Sequence, residues 1–241
     1  MKIIANETYI ERREKAGEVI PMVAMGCLLG SVVLSVTQPE WFVLTMGLTL
    51  LGFLLSLAGS FFLDRFVGER AHHRTVPAAL KGLDDRYTLI MYELSVPFVL
   101  VEPGGVSTIL PKNHGGEITY EGGRWLHQQK ARLLRQIGGQ EALSRPERQV
   151  EGQVKKIESY LEERLPEDTE VPVRGLLLFT NPELHLEAED APVPAIRAAK
   201  LKNWLRGPGR LTNLPSETRD QIKEALEITE NDLEHEEEEN D

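Results

Sequence analysis

The chain has 241 residues, a formal net charge of −11, 41% hydrophobic and 27% charged side chains. That length suffices for one sizeable core plus appended segments; the acidity belongs to the C-terminal tail, and residues 64–214, with no net positive charge, give nucleic-acid binding little support. A single cysteine, Cys27, excludes an internal disulfide framework and suits a reducing compartment.

Residues 1–18 place Lys2, Arg12, Arg13 and Lys15 among Glu7, Glu11, Glu14 and Glu18. This reads as a zwitterionic, helical, cytoplasmic arm rather than the short basic region of a cleaved leader, and no A-x-A site follows. Residues 19–63 then hold one charged side chain, Glu40. They divide into apolar segments 19–37 and 41–63, broken by the turn Thr37-Gln38-Pro39-Glu40. As helices these would be about 28 and 34 Å long, against a hydrocarbon core of about 30 Å. Hydrocarbon offers backbone groups no partner, so both segments must be helical, with Trp41 as an interfacial anchor. The expectation is a retained transmembrane hairpin. Lysines and arginines flank it on both sides (Arg65, Arg70 and Arg74 follow) and are missing from its turn, which predicts both termini cytoplasmic. Gly26 and Gly30 form a GxxxG, and Gly52, Ser56 and Ser60 repeat small residues. These faces either pack the two helices together or make a homo-oligomer.

Residues 64–76 read as a juxtamembrane linker whose His72 and His73 are interfacial. Residues 77–206 read as one α/β domain. A helical piece at 77–83 precedes strands at 87–94 and 98–102, and Pro103-Gly104-Gly105 turns the chain into an antiparallel strand at 106–110. Another strand is expected at 117–120, closed by Gly122-Gly123. Ser144-Arg145-Pro146-Glu147 has the form of a capping box, and Val150, Val154, Ile157, Leu161 and Leu165 give the following helix an apolar stripe. Residues 171–180 read as a central strand covered on both faces. Residues 193–196 follow as an edge strand, then a helix through Trp204 that stops at Gly207-Pro208. A short helix is expected at 216–228. The tail 207–241 reads as acidic and largely disordered. Residues 215–241 alone carry twelve acidic and two basic side chains, and the composition of 230–241 predicts disorder.

The order Gly-Leu-Asp-Asp-Arg-Tyr (82–87), Val-Glu-Pro-Gly-Gly-Val (101–106), Pro-Lys-Asn-His-Gly-Gly-Glu-Ile (111–118), Gly-Gly-Arg-Trp (122–125), Arg-Pro-Glu-Arg-Gln (145–149) and Leu-Leu-Leu-Phe-Thr-Asn (176–181) resembles the nuclease-related domain (NERD) family. The resemblance covers about residues 82–206. It implies a restriction-endonuclease-like α/β sandwich and, in active members, Mg²⁺- or Mn²⁺-dependent nuclease chemistry. In those members an Asp-His precedes one strand and a Glu-x-Lys ends the next, so that two carboxylates hold the metal and the lysine positions the attacking water.

The matching residues here are Pro97-Phe98 and Leu110-Pro111-Lys112, and of the set only Lys112 survives. A hard cation needs oxygen ligands, so a pseudo-enzyme with no cofactor is expected, acting as a binding or scaffold module toward a protein partner. The alternative is a tethered nuclease whose acidic ligands have been relocated, with Glu93, Glu102 and Glu117 as candidates and His114 as ligand or base. A third reading is a lipid-facing structural protein. For nucleic acid or lipid the best contacts are Arg124, Trp125, Lys130, Arg132 and Arg135. A second basic group, Arg197, Lys200, Lys202 and Arg206, suits anionic headgroups. No P-loop, G-x-S-x-G, H-E-x-x-H or paired C-x-x-C is present.

Overall fold

The computed structural model describes residues 1–128 and 143–226. Among these, 7–73 form one unit, and 1–6, 74–128 and 143–226 form the other.

The first unit is a helical hairpin. Helix α1 (Glu7–Thr37) and helix α2 (Phe42–Phe66) are joined by a 3₁₀ turn at Pro39–Trp41. Both helical segments are long and apolar enough to cross a membrane, and only 11% of the most apolar window of each is buried. A core helix of a soluble protein would reverse that proportion. The hydroxyls satisfy themselves within each helix, as hydrocarbon requires: Ser31 Oγ donates to Leu28 O at 2.7 Å and Thr49 Oγ1 to Thr45 O at 2.9 Å.

The hairpin is not packed through the expected GxxxG. Along α1 the buried residues are Ile10, Gly17, Ala24 and Ser31, one every seven positions. Along α2, Gly52, Gly59 and Phe66 keep the same interval. A seven-residue repeat is the seam of two helices crossing at a shallow angle. A Cβ on Gly52 would lie 2.8 Å from Leu28 Cγ, and one on Gly59 2.8 Å from Pro21 Cγ, whereas one on Gly26 would meet nothing within 4 Å. Of the small residues expected to pack, Gly52 lies in this seam and a Cβ on Gly30 would lie 3.4 Å from Leu48 Cδ2, whereas Gly26 faces away.

The second unit is mixed α/β. Its main sheet runs in the order β1-β2-β3-β4-β7-β9: β1 (Lys2–Ala5), β2 (Thr88–Met91), β3 (Phe98–Glu102), β4 (Gly105–Lys112), β7 (Val173–Phe179) and β9 (Ala195–Arg197). Strands β2, β3 and β4 form an antiparallel meander, whereas β1, β7 and β9 each join in parallel. A second sheet has the order β6-β5-β8, from β5 (Gly116–Glu121), β6 (Arg124–Gln128) and β8 (Leu184–Glu187). At the β3–β4 turn Gly105 has φ +151°, and a Cβ there would collide with Pro172 O. That turn therefore needs the glycine.

Alternation assigns the faces of the main sheet. Leu89, Phe98, Leu100, Ile109, Leu176 and Leu178 pack with helix α3 (His72–Leu80) and helix α5 (Ala198–Arg206). Ile90, Val99, Val101 and Val106 pack on the other face with helix α4 (Pro146–Glu162) and helix α6 (Ser216–Ala225).

Three expectations change. The N-terminal arm is not one helix: Lys2–Ala5 extends the main sheet, with Lys2 beside Thr88 and Ala5 beside Met91, and α1 begins only at Glu7. Ile3 is β-branched and finds an apolar surface there, which outweighs a lone helix in solvent. The capping box does not form. Arg145 precedes α4 with no side-chain cap, and the Glu147 carboxylate instead accepts from Trp125 Nε1 at 2.9 Å. Residues 124–128, where no strand was expected, are strand β6. The disorder expected of 230–241 concerns residues outside those described.

Candidate functional site

The positions singled out by the sequence resemblance, Pro97, Leu110 and Lys112, fall toward one end of β4. Val99 pairs with Thr108 and Leu100 with Ser107; continuing that register sets Pro97 beside Leu110. Lys112 ends the strand next to Phe179 of β7 and is 6% exposed. Its carbonyl accepts from Thr180 N at 3.0 Å, which pins the strand end. Alternation puts Leu110 and Lys112 on the α4 side of the sheet. His114, two residues on, is buried, and its ring centroid lies 5.3 Å from that of His127. His127 Nε2 is 2.8 Å from Gly115 O. His114 and His127 therefore meet just beyond the Lys112 end of β4, an approach of His127 that the sequence did not reveal.

The candidate carboxylates are placed differently. Glu93 is exposed in the 92–97 connection, at the Lys112 end of the sheet. Glu117 is exposed at the start of β5, on the face opposite buried Ile118. Glu102 is opposite Gly105, seven residues along β4 from Lys112 and so about 23 Å away at strand rise. Among the described residues no three His, Cys, Asp or Glu side chains cluster as metal ligands. The positions flanking Lys112 do not fit a divalent cation, because a proline ring and a leucine supply no oxygen donors.

Glu102 has other work. It is 3% exposed, and Arg174 Nη2 donates to its two oxygens at 2.8 and 2.9 Å while Ser107 Oγ donates to Oε1. Arg174 Nε donates to Ser107 Oγ at 2.8 Å and Nη1 to Gly209 O, and the guanidinium lies 4.7 Å from the Trp204 ring centroid. Burial pushes the Glu102 carboxyl above its ordinary value, and Arg174 and then Ser107 pull it part of the way back. Sequence reasoning missed Arg174. The signal was there: an arginine inside an otherwise apolar strand needs a buried acceptor.

Of the nucleic-acid contacts, Trp125 is buried, stacked edge-on with Tyr120 at 5.1 Å and bonded to Glu147, so its ring cannot receive a base. Its apolar surface is spent on the core. Arg124 is exposed at the β5–β6 turn. Lys130, Arg132 and Arg135 lie outside the described residues.

No family model, no curated protein and no solved structure matches the chain.

Proposed function

We propose that this protein is a membrane-anchored binding module built on a nuclease-related, restriction-endonuclease-like α/β domain that no longer performs nuclease chemistry. One observation carries this reading. Continued two residues past the Val99–Thr108 pair, the β3–β4 register brings Pro97 to Leu110, two side chains without oxygen donors where metal-holding carboxylates would have to converge. The domain acts by holding a protein partner at the bilayer.

The hairpin supplies the anchor. Strand β1 precedes it in the chain and β2 follows it, yet the two pair in one sheet. That pairing supports a hairpin with both ends on one side of the bilayer, because a strand on the far side could not pair with β2. The flanking basic residues support that side being cytoplasmic. A Gln38→Cys variant in intact cells tests the topology: labelling by an impermeant maleimide is expected, and labelling only after lysis would refute it.

The second reading, a tethered nuclease, draws on Lys112 being buried beside His114 at the strand end. The full chain in neutral lipid nanodiscs separates the two. Incubated with plasmid, single-stranded DNA and RNA, with and without Mg²⁺ or Mn²⁺, it should leave all three intact. Metal-dependent cleavage that disappears in Lys112→Ala would overturn the binding-module reading.

A further inference from the structure

A cavity of about 230 Å³ opens at the Glu102 end of the main sheet, away from Lys112. Its wall includes Asp84, Arg86, Tyr87, Glu102, Arg206 and Arg210. The cavity is defined by tight backbone packing. A Cβ on Gly104 would lie 2.8 Å from the Leu211 carbonyl carbon, and Leu214 N donates to Pro103 O at 2.9 Å, so the 207–214 connection is strapped over the β3–β4 turn.

The charges in this wall do not cancel. Asp84 is engaged by Arg86, with Nε at 3.0 Å and Nη2 at 2.7 Å, and that hydrogen bonding holds its carboxyl below the usual range. Both oxygens of Glu102 are turned to Arg174. Removing these two pairs leaves Arg206 and Arg210. Arg206 Nη2 donates to a neutral acceptor, Gly82 O, which orients the guanidinium without neutralising it. Among the described residues no carboxylate pairs with Arg210. Tyr87 is buried beside them, its hydroxyl kept protonated by burial and then by the negative charge of Glu102. It remains a donor. Two guanidinium forks and a phenol around a small cleft match a tetrahedral oxyanion, which arginine binds through paired N–H groups. The volume falls below the roughly 300 Å³ at which pockets for drug-sized ligands begin, so the occupant is small.

We propose that the cleft between the β3–β4 turn and α5 is a phosphate-binding site, for a phosphomonoester or the phosphate headgroup of an anionic lipid, held by Arg206 and Arg210. It divides the second basic group of the sequence by role. Arg197 donates to Pro182 O at 3.1 Å and Lys202 to Lys81 O at 3.3 Å, both local struts, while Arg206 faces the cleft. The site is independent of the nuclease-like end of β4, and its existence does not depend on what Lys112 does.

The test uses the full chain in phosphatidylcholine nanodiscs, titrated with inorganic phosphate and with glycerol 3-phosphate by calorimetry. Binding is expected, and Arg206→Gln and Arg210→Gln should each weaken it at least about tenfold, the loss of one charge-assisted pair. Lys200→Gln, exposed on α5 outside the cleft, should bind as wild type does. Discs containing phosphatidate distinguish the source: competition with the soluble probe assigns the headgroup, and unchanged titration assigns a soluble phosphomonoester. Wild-type protein with a native circular dichroism spectrum that binds neither probe would overturn the site. So would binding that survives in both arginine variants.

Discussion

Glu102 and Arg174 stand 72 residues apart in the chain and meet at the floor of the α5 side of the main sheet, one guanidinium nitrogen reaching both carboxylate oxygens. With side-chain exposures of 2% and 18%, the pair is nearly dry. A dry ion pair adds little net stability over a well-packed apolar pair, but breaking it strands a charge. Arg174→Met should therefore destabilise the domain by about 3 kcal/mol, because Glu102 keeps a buried carboxylate without its counterion. The double variant Glu102→Leu/Arg174→Met should return to within about 1 kcal/mol of wild type. Urea midpoints read by tryptophan fluorescence check this, since Trp204 lies against the guanidinium. A double variant no more stable than the single would show that the charge is not what was stranded.

The same burial gives a pH dependence of definite sign. The Glu102 carboxyl is raised from its ordinary value of 4.5. Above that value the unfolded chain loses the proton while the folded chain still retains it, so folding binds more protons and stability falls as pH climbs through the window up to the raised value. Asp84 is lowered and contributes in the opposite sense, with stability present above its ordinary value and lost as pH falls. Its side chain is half exposed, so that contribution is small. Denaturation midpoints measured from mildly acid to neutral pH should decline in wild type. The decline should flatten in Glu102→Gln, which cannot titrate; an equal slope in both would assign it elsewhere.

Two glycines that look alike in sequence should respond with opposite signs. Gly175 lies on β7 where α4 crosses the sheet, and a Cβ there would stand 2.0 Å from Val150 Cγ1 and 3.0 Å from Val154 Cγ2. Gly175→Ala should lose about 2 kcal/mol as α4 is pushed away, an overpacking cost. Gly152 is exposed on α4 itself, and a Cβ there meets nothing within 4 Å. Gly152→Ala should gain nearly 1 kcal/mol, because alanine loses less conformational freedom in a helix. Equilibrium unfolding of the two variants decides it, and equal shifts would contradict the α4–β7 approach.

What could be read in advance follows from how far each signal reaches along the chain. The two apolar helices announce themselves by uninterrupted length alone. The β3–β4 hairpin is local, fixed by Pro103-Gly104-Gly105, and β7 shows as an apolar run. Strand β1 was invisible because four residues carry no period and its partner, Thr88–Met91, lies beyond the whole hairpin. Strand β8, Leu184–Glu187, is equally short. At the candidate site, the loss of carboxylates at positions 97 and 110 was legible residue by residue, but the approach of His127 to His114 depends on β5–β6 pairing. The Glu102–Arg174 pair was half legible: each charge is anomalous in its strand, but neither names the other.

The hairpin seam was legible only at Gly52, since where nearly every position is apolar the buried face has no contrast with the rest. The structure makes it testable through glycines of equal sequence weight. Gly59 faces Pro21 across the seam, where a Cβ on the glycine would meet Cγ at 2.8 Å and the ring Cδ at 3.2 Å. Pro21 is rigid and sits in the α1 backbone, so it cannot swing aside. Gly59→Ile should separate the helices and destabilise the hairpin by about 1–3 kcal/mol, as overpacking does. Gly26→Ile adds its side chain to an exposed face and should leave hairpin stability unchanged. Cysteines placed at Gly30 and Leu48 in a Cys27→Ser background report the geometry, because a Cβ on Gly30 would lie 3.4 Å from Leu48 Cδ2, close without a clash. Oxidative crosslinking should form readily in that background and with Gly26→Ile, and drop sharply with Gly59→Ile. Loss of crosslinking with Gly26→Ile but not with Gly59→Ile would place the helix contact on the Gly26 face instead.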